Sequence, residues 1–113
     1  MKGGIMYEQF EIVIIPFPYS DLTGSKKRPA LIISNENLNK TQDRICCLIT
    51  SNIHKDDLKI TKTDLEEGSL PFSSAIRPHR LFTINEQIIE KKICKINKKL
   101  HEQLIKKINS YLN

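Results

Sequence analysis

Apolar residues in this chain come in short continuous runs, and only the C-terminal stretch shows a helical period. Residues 11–17, Glu-Ile-Val-Ile-Ile-Pro-Phe, are too few and too β-branched for a helix. They predict a first strand nearly buried on both faces, ended by Pro16 and Pro18. Leu31, Ile32 and Ile33 predict a second strand that stops at Ser34 and Asn35, and residues 44–50 a third, ending in the small polar trio Thr50-Ser51-Asn52. Residues 55–60 alternate enough for a half-exposed strand, whereas residues 61–71 are polar, punctuated by Gly68 and Pro71, and predict an excursion. Residues 73–76 and 81–84 predict strand segments on either side of Arg77-Pro78-His79-Arg80, which is read as a strand junction. Ile88, Ile89, Ile93 and Ile96 lead into residues 97–112. There Leu100, Leu104, Ile108 and Tyr111 or Leu112 recur at helical spacing, with Asn97 placed to cap the helix. The Lys-rich opposite face of that helix reads as solvated.

Between the first two strands, residues 19–27 form a long polar loop, expected to be mobile and of the kind that more often carries function than not. It delivers Lys26, Lys27 and Arg28 to the mouth of the second strand. Pro29 biases Arg28 toward an extended backbone, so its guanidinium leaves a defined position. A cation held in that way suits anion binding or phosphoryl transfer; an ordinary basic turn before a strand would look the same.

With 113 residues, 39% hydrophobic and 27% charged, the chain is expected to be one domain spanning 1–113. A net charge of +5 favours an acidic partner, and nucleic acid is the commonest one. The three cysteines are odd in number and lack CxxC spacing, which excludes a disulfide framework or zinc knuckle and makes a reducing cytoplasm the expected home. No stretch approaches the length of a membrane span, and residues 1–7 lack the apolar core of a signal peptide. No His, Asp, Glu or Cys cluster has metal-ligand spacing, so neither a metal nor a cofactor is expected.

Four blocks in order resemble the MazF/PemK family of type II toxin endoribonucleases, and the resemblance covers nearly the whole chain. They are residues 11–18 with the loop through Gly24-Ser25-Lys26-Lys27 and the segment Arg28-Pro29-Ala30-Leu31-Ile32-Ile33-Ser34; Leu48-Ile49-Thr50-Ser51; Ser74-Ala75-Ile76-Arg77; and Thr83-Ile84 before a terminal helix. Two positions depart from the family. Phe10 stands where it usually has glycine, which argues for a different turn or a covered strand start, and His79 stands where one branch has Asp.

The resemblance implies an α+β fold, mainly β: an SH3-like small barrel of antiparallel strands with a packed C-terminal helix. It implies metal-free cleavage of single-stranded RNA, in which the 2′-hydroxyl attacks the adjacent phosphorus. It also implies a homodimer silenced by a cognate antitoxin. Carried over by position, Arg28 is the catalytic cation, whose planar fork can bind two phosphoryl oxygens. Thr50 matches the catalytic hydroxyl, although a strand-end residue capping exposed backbone would look alike. Arg77 matches a second catalytic Arg. His79 is the addition made from this chain's own departure: an imidazole there can transfer protons near neutrality or only contact the RNA backbone. Lys26, Lys27, Ser51, Ser74 and Arg80 are expected RNA contacts. Tyr19, Phe17 and Phe72 are candidate base platforms by location, although such residues are more often core or barrel rim. Of the other histidines, His54 sits in a polar turn and His101 is expected to be structural or solvated. Two rival readings accompany this one: a CcdB-like barrel that poisons DNA gyrase without cleaving anything, and an inactive relative that binds RNA or regulates its own operon.

Overall fold

The computed structural model describes residues 6–18 and 25–113. Tyr19 and the rest of the expected loop up to Gly24 lie outside the described residues. The described residues form seven strands: β1 (Glu11–Pro18), β2 (Ser25–Ile32), β3 (Asp43–Thr50), β4 (Leu58–Ile60), β5 (Leu65–Gly68), β6 (Ser74–Asn85) and β7 (Lys91–Ile96). A short helix α1 (Glu36–Asn39) separates β2 from β3, and α2 (Lys98–Ser110) ends the fold. The strands pair antiparallel in the order β4-β6-β3-β2-β1-β7-β5, a nearly closed barrel with the terminal helix packed on it. The expected α+β class and strand-then-helix order are borne out.

Two apolar clusters explain why the runs are continuous rather than alternating. Ile12, Leu31, Cys47, Ile49 and Ile76 face α2, where Leu100, Leu104 and Ile108 supply the buried stripe. The alternate residues Val13, Ile15, Ala30, Ile32 and Cys46 form a second cluster on the other face of the same strands. Burial on both faces turns a strand into an unbroken apolar run. Pro16 and Pro18 are tolerated inside β1 because its pairing to β7 stops at Ile14, leaving one edge free beyond that point. Asn97 caps α2 as expected, its side chain accepting the Leu100 N–H at 2.8 Å.

Three expectations need correction. The excursion at residues 61–71 contains a 3-10 turn, Lys62–Asp64, and then β5, which pairs with β7, itself a strand where only a lead-in to the helix was expected. Gly68 closes β5 at φ +74, and a Cβ there would lie 2.3 Å from the Ile93 carbonyl oxygen, so only glycine fits. The Arg77–Arg80 tetrad does not join two strands. β6 runs through it, and between the pairs Leu48↔Arg77 and Cys47↔Leu81 it carries three extra residues as a bulge. Pro78 in that bulge is fully buried. At the start of β1, Phe10 adopts φ +81, the left-handed conformation that favours the glycine it replaces. Its ring meets His101 edge-on at 4.8 Å, so the strand start is covered. Burial there holds the His101 imidazole below its ordinary value, outweighing the nearby Glu102 charge.

Cys46, Cys47 and Cys94 are free and buried. Burial pushes the first two thiols up to about 12 and the third to about 11. Native protein at pH 8 should therefore leave a thiol-disulfide reagent unreacted, and all three should react once it is unfolded in guanidinium. Labelling of the folded protein within the mixing time would contradict this burial.

Candidate active site

The ladder between β2 and β3 pairs Ala30 with Leu48, and the ladder between β3 and β6 pairs Leu48 with Arg77. Directly paired residues project to the same side of a sheet, so Ala30, Leu48 and Arg77 form one row. Two residues further along β2 and β3 on that face are Arg28 and Thr50. Three of the four expected catalytic residues thus share one sheet face within a single ladder step. The fourth, His79, is exposed on the β6 bulge.

Beside this row lies a hollow of about 700 Å³, lined by Ile15, Phe17, Leu48, Phe82, His79 and Arg80 among others. Its lining is largely apolar, with Arg80 and His79 its basic side chains. Phe17 and Phe82 meet edge-on at 5.2 Å, so Phe17 stays half-buried rather than standing out as a platform. Phe72 is 74% exposed, in the segment between β5 and β6.

Arg77 is held tightly. Its Nε and Nη2 donate to the Asp57 carboxylate at 3.2 and 3.1 Å, and Nη2 also donates to the Asn52 carbonyl at 2.8 Å. Asp57 immediately precedes β4, whose register pairs Leu58 with Ile76, so it stands across from Arg77. Thr50 is buried, and its Oγ1 accepts the Asn52 N–H at 3.0 Å, so the hydroxyl does cap strand-end backbone. A smaller hollow of about 470 Å³ is lined by His54, Asp57, Arg77, His79 and Tyr111. His79 therefore borders both hollows, with the Tyr111 ring 6.3 Å away edge-on. Burial alone would raise the Asp57 carboxyl, but the Arg77 guanidinium and the His54 N–H outweigh it and hold it below the usual carboxylate range.

That depressed value has a stability consequence. A carboxyl more acidic in the folded than in the unfolded chain stabilises the fold above its ordinary value, near 3.8, and loses that contribution as pH falls through its folded value. Acid titration of wild-type stability should be steeper below about pH 4 than that of Asp57→Asn, measured by urea midpoints. Parallel curves would show that the pair contributes nothing.

The remaining expected contacts divide. Lys26 and Ser51 are exposed, and so is Lys27, which is paired with Glu90 at 2.6 Å. Arg80 is exposed on the groove rim. Ser74 is buried and donates its hydroxyl to the Phe72 carbonyl at 3.0 Å, which takes it out of the open surface. Sequence reasoning missed Asp57. The signal was its alternation with Leu58 and Ile60, which puts Asp57 and Lys59 on the face away from the core. Among the described residues no three His, Cys, Asp or Glu side chains are grouped as metal ligands, and no helix is long and apolar enough to cross a membrane.

A search of curated protein sequences finds no match. Solved structures show the same fold. An endoribonuclease from a mycobacterial species superposes with a TM-score of 0.73 at 14% identity, covering 94% of this chain and 90% of that one. MazF in a MazE-MazF crystal structure from Deinococcus radiodurans gives 0.71 at 17% identity, with 95% of each chain covered. The toxin MazF-mt6 of Mycobacterium tuberculosis gives 0.67 at 16%, covering 88% of this chain and 95% of that one. The family profile described as PemK-like, MazF-like toxin of type II toxin-antitoxin system matches residues 8–112. With nearly its whole length matched, the chain belongs to the PemK-like, MazF-like toxin family of type II toxin-antitoxin systems.

Proposed function

We propose that the protein is an endoribonuclease toxin that cuts single-stranded RNA at selected sequences without a metal ion. The observation that carries this reading is the placement of Arg28 and Thr50 at adjoining strand positions on one sheet face, one ladder step from Arg77. In-line attack by a 2′-hydroxyl requires charge stabilisation on the phosphoryl oxygens, an oriented nucleophile and a proton path. Arg28 supplies the first through its permanently charged fork, and Arg77 adds a second cation on the same face. Thr50 can hold the attacking or phosphoryl oxygen by turning its hydroxyl proton away from the Asn52 carbonyl, a long contact at 3.4 Å, while its Oγ1 still accepts the Asn52 N–H. His79, exposed between the two hollows, is placed to move a proton or to contact RNA backbone.

The 2′-oxygen displaces the 5′-oxygen, which leaves as a 5′-hydroxyl after taking up a proton, and the other fragment ends in a 2′,3′-cyclic phosphate. Lys26, Lys27, Ser51 and Arg80 guide the RNA backbone; Ser74, committed to Phe72, is left out. A cognate antitoxin is the expected inhibitor, in keeping with relatives solved as complexes with theirs, and the working form is a homodimer in the cytoplasm.

The test is incubation with a mixed-sequence single-stranded RNA in EDTA, beside the same sequence as DNA and as duplex RNA. Discrete cuts confined to single-stranded RNA support the reading. Cuts in DNA, cutting that requires added metal, or no cutting would contradict it, and a gyrase assay would then test the CcdB-like alternative.

A further inference from the structure

We propose that Asp57 is the positioning residue for Arg77, fixing the guanidinium so that it meets an RNA phosphate through its Nη1 edge alone. This rests on the reading of Arg77 as a phosphate-binding group in the proposed site.

The usual way for an arginine to bind a phosphate is with two parallel N–H groups. Here the Nε and Nη2 pair is already occupied by the Asp57 carboxylate, and Nη2 also reaches the Asn52 carbonyl. Nη1 makes no hydrogen bond among the described residues. The pair is not a loose surface contact, since the Asp57 side chain is 3% exposed and that of Arg77 is 14% exposed. The carboxylate is anchored in turn by the His54 N–H at 2.8 Å.

The same bonds reach the other side of the site. Asn52, whose carbonyl accepts from Arg77, gives its own N–H to Thr50 Oγ1 at 3.0 Å. Asp57, Arg77, Asn52 and Thr50 are therefore one continuous hydrogen-bonded chain, and the turn between β3 and β4 is folded onto the guanidinium. An arginine fixed before RNA arrives has already lost its rotamer freedom in folding, so less is lost on binding. Asp57 also offsets the Arg77 charge. Removing the carboxylate should thus tighten ground-state binding while misplacing the donor at the reacting phosphate.

The experiment is a double-mutant cycle of Asp57→Asn and Arg77→Gln, the glutamine keeping a donor for the buried carboxylate. Rates are measured on an oligonucleotide carrying a cut site mapped on a mixed RNA pool. Expected for Asp57→Asn is a kcat about tenfold to 100-fold lower, as for a displaced catalytic donor, with KM unchanged or lower. In the Arg77→Gln background the same change should alter kcat less than about twofold, because positioning acts only through Arg77. A full additional loss in that background, or a kcat for Asp57→Asn equal to or above wild type, would overturn the proposal. Should Asp57→Asn fail to fold, Asp57→Glu, which moves the charge by one methylene, takes its place in the cycle with the same expectation for kcat.

A second readout separates this inference from the cleavage reading. Affinity for a 2′-O-methylated RNA pool, followed by anisotropy, should tighten on Asp57→Asn more when Arg77 is present than in the Arg77→Gln background. That dependence would hold even if wild type cut no RNA. An equal response in both backgrounds would overturn the proposal while leaving cleavage untouched.

Discussion

Arg28→Ala should lower the rate of RNA cleavage by roughly 100- to 1,000-fold, the scale seen when one preorganised donor to developing charge is removed. KM should change far less, because the remaining cations of this basic chain carry much of the ground-state attraction to phosphate. Arg28→Lys should recover only part of the rate. It keeps the charge but replaces a planar fork with a single ammonium. Arg28 is half-exposed within β2, paired with Ile15 and ahead of the ladder to β3 that starts at Ala30, and melting temperatures of both variants separate a lost rate from a lost fold. Thr50 can be separated into its two roles. Thr50→Ser keeps the hydroxyl that accepts from Asn52, whereas Thr50→Val keeps the shape and removes it. Activity retained in the serine variant and lost in the valine variant, with equal melting temperatures, would assign the loss to the oxygen. Single-turnover rates under saturating RNA give each comparison. A lysine variant as fast as wild type would remove the need for the fork.

Arg44→Met should destabilise the fold by about 3–5 kcal/mol, the range for removing one partner of a buried ion pair. Arg44 is completely buried. It donates to Glu86 at 2.6 Å and to the carbonyls of Tyr7, Thr41 and Asp43 at 2.9, 2.8 and 2.8 Å. One side chain thereby joins the segment before β1, the turn before β3 and the connection between β6 and β7. Methionine fills the volume but leaves three carbonyls and a carboxylate without their donor. Glu86→Gln should cost less, since Glu86 is one-third exposed and can be hydrated. Arg44 is the second residue of β3 and Thr50 the last, roughly 20 Å apart at strand spacing, so the folded fraction of Arg44→Met should cleave at the wild-type rate. Urea unfolding measures the first effect and active-site titration the second. A loss under about 1 kcal/mol would show that the network is not holding these segments.

Arg44 also shows where sequence reasoning stops. A single cation at the start of an apolar strand looks solvent-facing, and what buries it are carbonyls from segments far apart in sequence. β5 and β7 were hidden for a related reason. Lys91, Lys92 and Lys95 interrupt Ile93, Cys94 and Ile96, and their partner strand is short and acidic, so neither shows clean alternation although the two pair. The β6 bulge was read as a junction because Pro78 removes a ladder donor, which in one dimension looks like a strand end. By contrast, β1 and α2 were legible because periodicity reports burial directly: two buried faces give a continuous run, and one buried stripe gives a 3.6-residue repeat. Of the site, the Arg28-Pro29 device and the polar end of β3 could be read locally. Their juxtaposition depends on the β2–β3 register, and the grip of Asp57 on Arg77 on the β4–β6 register, which no local pattern encodes. Phe10 is instructive in the opposite sense. Its place argues for a different turn or a covered strand start, and the start is covered: the ring is set against His101 on a left-handed backbone that costs of the order of 1–2 kcal/mol.

The account stands or falls on the chemistry of the cut. Once a cleavage site is mapped, a single 2′-deoxynucleotide placed immediately 5′ of it should abolish cutting there, while the unmodified RNA yields a 3′ fragment end carrying 2′,3′-cyclic phosphate in EDTA. Continued cutting of the deoxy substrate, or ends bearing a 3′-hydroxyl, would mean that the 2′-oxygen is not the nucleophile and that Arg28 and Thr50 do not serve the reaction proposed for them.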